Sequence, residues 1–167
     1  MATLLRSVRL LALVLWEGGL LFFAFVLAPI AFSVLPSKHE AGLVVGGTLV
    51  TLHWIGLICG VVFIIATLIL WSYRRRHNRK FFVIEFALIA IMLAITAYLQ
   101  FSVVPAMERD RIQAGGDVDA APADNAARLD FERLHPLSER YEGVALFAGL
   151  GIVFLLAAET HIPKTID

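Results

Sequence analysis

Between Leu10 and Leu35 the chain carries one charged residue, Glu17, and further apolar runs follow at 43–72, 81–104 and 142–160. A helix needs about 20 mainly apolar residues to cross a hydrocarbon core, where no water can satisfy an open backbone. Four such runs in 167 residues leave little chain for anything else. The expected fold class is an all-α membrane protein: a four-transmembrane-helix bundle forming one domain over 1–167, with spans at about 8–35, 43–72, 81–104 and 142–160. A composition of 59% hydrophobic and 17% charged residues fits no ordinary soluble domain of this length. The first run follows Arg6 and Arg9 and ends near the small residues of "LAPIA", as a secretory signal would. Its length and Pro29 argue instead for a retained span.

Orientation rests on the links. "YRRRHNRK", residues 73–80, is short and densely basic, which the positive-inside rule assigns to the cytoplasm. Both termini then fall on that side, with Arg6, Arg9 and Lys164 in agreement, and a multi-pass protein of the cell inner membrane is expected. "PSKHE" and the 105–142 connection lie outside. Within the latter, "AGGDVDAAPADNAA" has too little apolar area to order itself, so 105–127 is expected to be a mobile outer loop. "RLDFERLHPLSERYEG" after it recovers a helical period and predicts an additional amphipathic helical segment on the outer side. Pro136 would cost an internal helix about 3 kcal/mol and nothing comparable in a first turn, which favours a break at His135. Counting about 20 residues from the inner ends, 30–36 and 43–51 overshoot the lipid, and 127–141 is the available cover.

Titratable groups inside spans are costly and face the bundle interior, so each is a candidate site residue. Helical spacing puts Glu17 with Ala24, Ala28 and Ala31, and His53 with Gly46, Gly56 and Gly60, of which the last two form a small-xxx-small contact. Glu85, Met92, Thr96 and Gln100 form another row, as do Phe131, His135, Ser138 and Glu142. Depth divides them. Glu17 and Glu85 lie toward the inner side, within reach of Arg9 or the arginines at 74–76, although Glu17 could also be buried as a neutral acid donating to a neighbouring helix. His53, Gln100, His135, Ser138 and Glu142 reach a similar depth near the outer boundary and could share a polar pocket. His53 could equally serve only to tie the outer segment down. Glu159, His39, His77 and His161 are expected to be solvated, and Cys59 to be a small buried hydrophobe.

Several classes drop out. Zero net charge and the lack of a basic arm with interleaved aromatics exclude a nucleic-acid partner. One cysteine builds no disulfide and no thiolate zinc site. There is no His-Glu-x-x-His, Gly-x-Ser-x-Gly or phosphate-cradling glycine loop, so no enzyme is expected.

"LWEGGLLFFAFVLAPIAFSVLP", "TLHWIG" and "FERLHPLSERYEG" together resemble the transmembrane-protein-205-like membrane proteins, bacterial domains of unknown function of the DUF4149 type. The likeness spares only 108–126, and the Leu-His-x-x-Ser element at 134–138 discriminates most. It implies a small four-helix integral membrane protein with no established enzymatic activity, on whose pattern Pro29, Phe32, His53, His135 and Ser138 fall. Pro136 departs from that pattern. The leading expectation is a non-enzymatic accessory or small-solute/ion-handling component, surrounded by membrane lipids, without a cofactor, working as a homo-oligomer or with a partner membrane protein. The alternative is a haem- or metal-binding redox component using His53 and His135 as ligands.

Overall fold

A computed structural model describes residues 1–73 and 79–159. The core of the basic link, with His77 and the arginines at 74–76, and the tail with His161 and Lys164 lie outside the described residues, as does the side chain of Glu159. Four long helices account for most of the described chain. The first, α1, runs as Ala2–Phe22, passes through a π-helical turn at Phe23–Leu27 and resumes as Ala28–Val34. Helix α2 is Lys38–Tyr73. Helix α3 runs as Arg79–Tyr98, takes a π-helical turn at Leu99–Val103 and continues as Val104–Gln113, and α4 is Ala126–Glu159. All four contain stretches long and apolar enough to cross a membrane.

The two π turns share a cause. Pro29 and Pro105 lack the N–H that would bond four residues back, and their rings press on the carbonyls of Phe25 and Phe101, both inside the π turns. Widening the ladder for one turn absorbs the misfit without a break. The extra residue also rotates the rest of the helix about its axis. Ala31 is buried while Ala24 is exposed, so the row drawn from Glu17 through Ala24 does not hold past the turn.

Lipid is the solvent this surface needs. Leu10, Leu11, Val14, Leu15, Phe22, Phe25, Ile58, Ile65, Phe147 and Phe154 all point outward from the middle parts of the helices. In water, exposed apolar area on this scale would drive aggregation. The interior is a layer of Leu13, Trp16, Phe63, Ile89, Met92 and Ile152, closed by glycines where helices approach. A Cβ at Gly56 would strike the Trp16 indole, and one at Gly60 would meet Trp16 and Leu93, so the small-xxx-small pair of α2 is a contact as expected. Gly46 is exposed, and a Cβ there would meet nothing within 4 Å.

The outer side differs from the sequence reading in three ways. Residues 105–113 are helical, and the chain turns only at Gly115 and Gly116, whose φ values of 93° and 95° fall in the left-handed region glycine tolerates. From there to Asn125, Arg128 donates to the carbonyls of Ala121 (2.7 Å) and Asp119 (3.4 Å), and Asn125 caps α4 through the N–H groups of Ala127 and Arg128. Second, α4 does not break at His135. The proline frees the carbonyl of Glu132, an exposed position that water can satisfy, and Ser138 donates to the His135 carbonyl at 2.7 Å. Third, the outer part of α4 packs against the Val104–Gln113 extension of α3, and not over 30–36 and 43–51 as expected.

Candidate functional site

The polar interior is built at three depths. Innermost, Arg9 of α1 forms an ion pair with Glu85 of α3, each at most 5% exposed, and the guanidinium lies 5.0 Å from the centre of the Phe63 ring. This is the inner pairing that the depth of Glu85 called for. Seven residues further along α3, Met92 marks the level of Glu17. Glu17 is 3% exposed, and neither carboxyl oxygen has a hydrogen-bond partner among the described residues. Its head fills the space left by Gly149 of α4, where any Cβ would collide with it. Arg9 serves Glu85 rather than Glu17, and no donor bond from Glu17 to a neighbouring helix is found among the described residues.

The outermost group brings together side chains from three helices. His53 of α2 is 1% exposed. Its Nδ1 lies 3.0 Å from Oε1 of Gln100, inside the π turn of α3, and its Nε2 is paired with Oε1 of Glu142 on α4. An amide oxygen only accepts, so Nδ1 carries a hydrogen and donates. The second proton then sits between Nε2 and the Glu142 carboxyl. Either a neutral ring accepts from the acid, or an imidazolium donates to the carboxylate. Both forms use the same heavy-atom positions. Glu142 is the wetter partner, with its side chain 17% exposed against 1% for His53.

Of the five residues expected to share the outer pocket, the structure joins His53, Gln100 and Glu142. His135 and Ser138 stand apart. Ser138 is buried but spends its hydroxyl on the His135 carbonyl. The His135 ring is half exposed, stacks on Phe131 with 6.0 Å between centres, and faces Glu139 at 3.4 Å. The reason is distance along the helix: His135 shares a face of α4 with Glu142, seven residues on, but lies about 10 Å further out, past the level of His53. Two-histidine ligation by His53 and His135 therefore has no assembled geometry, and both nitrogens of His53 are already engaged. Among the described residues no three His, Cys, Asp or Glu side chains cluster as metal ligands would.

Sequence reasoning overlooked the outer groove between α3 and α4. Tyr98, Arg133, Leu134, Pro136, Leu137 and Arg140 line a volume of about 530 Å³. A second hollow of about 250 Å³ adjoins it at Tyr98 and is walled by Ala94, Ile95 and Tyr141. The signal in the sequence is the spacing of Arg133 and Arg140, seven residues or two helical turns, which puts both on one face of α4.

Comparison with known proteins finds one family. A family model described as a domain of unknown function, DUF4149, matches residues 11–114, which contain Glu17, His53, Glu85 and Gln100. No curated protein and no solved structure matches the chain.

Proposed function

Because the chain belongs to the DUF4149 family, whose domain has no assigned function, we propose a role from its own geometry: a non-enzymatic, multi-pass membrane component that handles a small ion, the proton, at His53 and Glu142. The observation that carries this reading is a fully buried imidazole whose Nδ1 faces the Gln100 side-chain oxygen and whose Nε2 faces a carboxyl that is partly open. Glu142 exchanges its proton with the outer aqueous phase, and His53 receives it without any movement of the helices. Gln100 fixes the tautomer, so that Nε2 is always the nitrogen offered to Glu142.

The same reading holds that both termini are cytoplasmic, that the membrane is the cell inner membrane and that no cofactor takes part. Four helices enclose little volume, so the way onward from His53 runs between copies of the chain or along a partner membrane protein. The Leu134-His135-x-x-Ser138 element supports a relation to the transmembrane-protein-205-like proteins.

Reconstituted vesicles loaded with a pH-sensitive dye test the proposal. Under a potassium diffusion potential, wild-type vesicles should change internal pH faster than empty ones, and His53→Gln and Glu142→Gln should each remove the difference. Wild-type vesicles no faster than empty ones would sink the reading, as would variants that keep the full rate.

A further inference from the structure

The groove between α3 and α4 changes chemistry along its length in a fixed order. Its deeper part is walled by Ala94 and Ile95, its waist by Tyr98 and Tyr141, and its outer part by Arg133 and Arg140 with Leu134, Pro136 and Leu137. Among the described residues no acidic side chain lines either hollow. The tyrosine rings meet edge to face, with 5.6 Å between centres, and both are more than a third exposed.

Depth gives that order a meaning. Counting about 20 residues outward from Lys80 reaches Gln100, so Tyr98 lies just within the outer boundary, where amphipathic rings collect. Ala94 and Ile95 are a further turn inside the hydrocarbon. Arg140, two residues before the triad's Glu142 on the antiparallel α4, lies on the water side of that boundary. Arg133 is two turns beyond it on the same helix and lines the same hollow. Two arginines lining the outer part of a groove whose deeper wall is apolar match a phosphate above an acyl chain.

We infer that this groove is a binding site for an anionic phospholipid of the outer leaflet, with its phosphate held by Arg133 and Arg140 and an acyl chain lying past Tyr98 along Ala94 and Ile95. The cations are free enough for this. Arg140 has no ion-pair partner among the described residues, and Arg133 has only a 3.4 Å contact with Asp130, with both side chains more than half exposed. A pair so exposed holds its partners weakly. The apolar wall continuous with the lipid-facing surface argues for a lipid rather than a free anion. None of the lining residues belongs to the His53 triad, so the site stands whether or not protons move there.

The test is equilibrium binding of labelled phosphatidylglycerol to the purified full-length chain in non-ionic micelles, with phosphatidylcholine and inorganic phosphate as competitors. Saturable binding near one lipid per chain is expected, displaced by unlabelled phosphatidylglycerol at about tenfold lower concentration than by phosphatidylcholine, since only the anionic headgroup brings net charge to the arginines. Arg133→Gln/Arg140→Gln should remove that preference, and Tyr98→Ala should weaken both lipids. Arg109→Gln, on the outer side but away from the groove, should behave as wild type. The competition among the three ligands uses the unaltered chain, so it decides the matter even if a variant fails to fold. Equal displacement by the two lipids would reduce the groove to ordinary lipid contact and overturn the site. Full displacement by inorganic phosphate would make it a soluble-anion site, and a dimer lost in the arginine variants without saturable lipid binding would assign the groove to a second copy; either also overturns it.

Discussion

The two ends of the bundle interior solve one problem in different ways. At the inner end Arg9 and Glu85 are opposite charges far from water, closed in by Phe63. At the outer end His53, Gln100 and Glu142 form a hydrogen-bonded set that is neutral as a whole in either proton arrangement, with one member partly wet. A buried full charge demands its partner at all times. A shared proton makes no such demand, because the charge can appear and vanish within the pair. The inner end is therefore built to hold, and the outer end can exchange.

That contrast is broken most severely at the inner end. Arg9→Ala or Glu85→Ala leaves an uncompensated charge among apolar side chains and should lower stability by about 3–5 kcal/mol. Replacing both with leucine removes the charges together and should cost much less than either single change. Thermal unfolding in detergent micelles reads the difference. Single and double variants of equal stability would mean that the two residues are not coupled.

Glu17 sits between the ends, and Gly149 decides how tightly. Gly149→Ala puts a methyl group where the Glu17 carboxyl lies, with Met92 Cε only 3.0 Å away, and should destabilise by about 1–3 kcal/mol. Shortening Glu17 to alanine in the same chain should restore most of that loss. A Gly149→Ala penalty unchanged by Glu17→Ala would place the clash with Met92 instead and detach Glu17 from α4. The same unfolding assay suffices, and the expected effect is smaller because overpacking can relax where an orphaned charge cannot.

Much of this was legible in residue spacing, and the failures have physical causes. Four spans follow from apolar length alone. The inward placing of His53 follows from Gly56 and Gly60, which tolerate close approach, and the pairing of Glu85 with Arg9 follows from their common depth. Gln100 and Glu142 were found because rows at helical spacing contain them. His135 falls outside the site because a row at helical spacing fixes the face and not the depth: it shares the face of Glu142 but lies two turns, about 10 Å, further out. The π turns shift register by one residue, which no straight helical count anticipates. Pro136 reads as a stop because propensity treats a helix in isolation, whereas here the residues on both sides are held by α3 and its extension.

A wetter ion pair of the same residue types sets the scale for Arg9 and Glu85. Glu108 and Arg111, on the outer extension of α3 beyond the apolar span, meet through two bonds of 2.8 and 2.5 Å, with side chains 51% and 26% exposed. Hydrogen bonds from Arg111 hold the Glu108 carboxyl below its ordinary value of 4.5, partial burial opposing them weakly, while Arg111 is held higher still and stays charged throughout. A carboxyl depressed on folding contributes stability above its unfolded value and loses it as pH falls through the folded one. Glu108→Gln should therefore cost no more than about 1 kcal/mol near neutral pH, less in high salt, and nothing once both states are protonated well below pH 4.5. Unfolding of wild type and variant across pH 3 to 7 (about the range micelles tolerate) measures the gap. If it stays constant to the acid end, the contact is packing rather than charge. If it closes, the same two residue types that lock the inner end of the bundle contribute little once water reaches them, and burial is what gives Arg9 and Glu85 their weight.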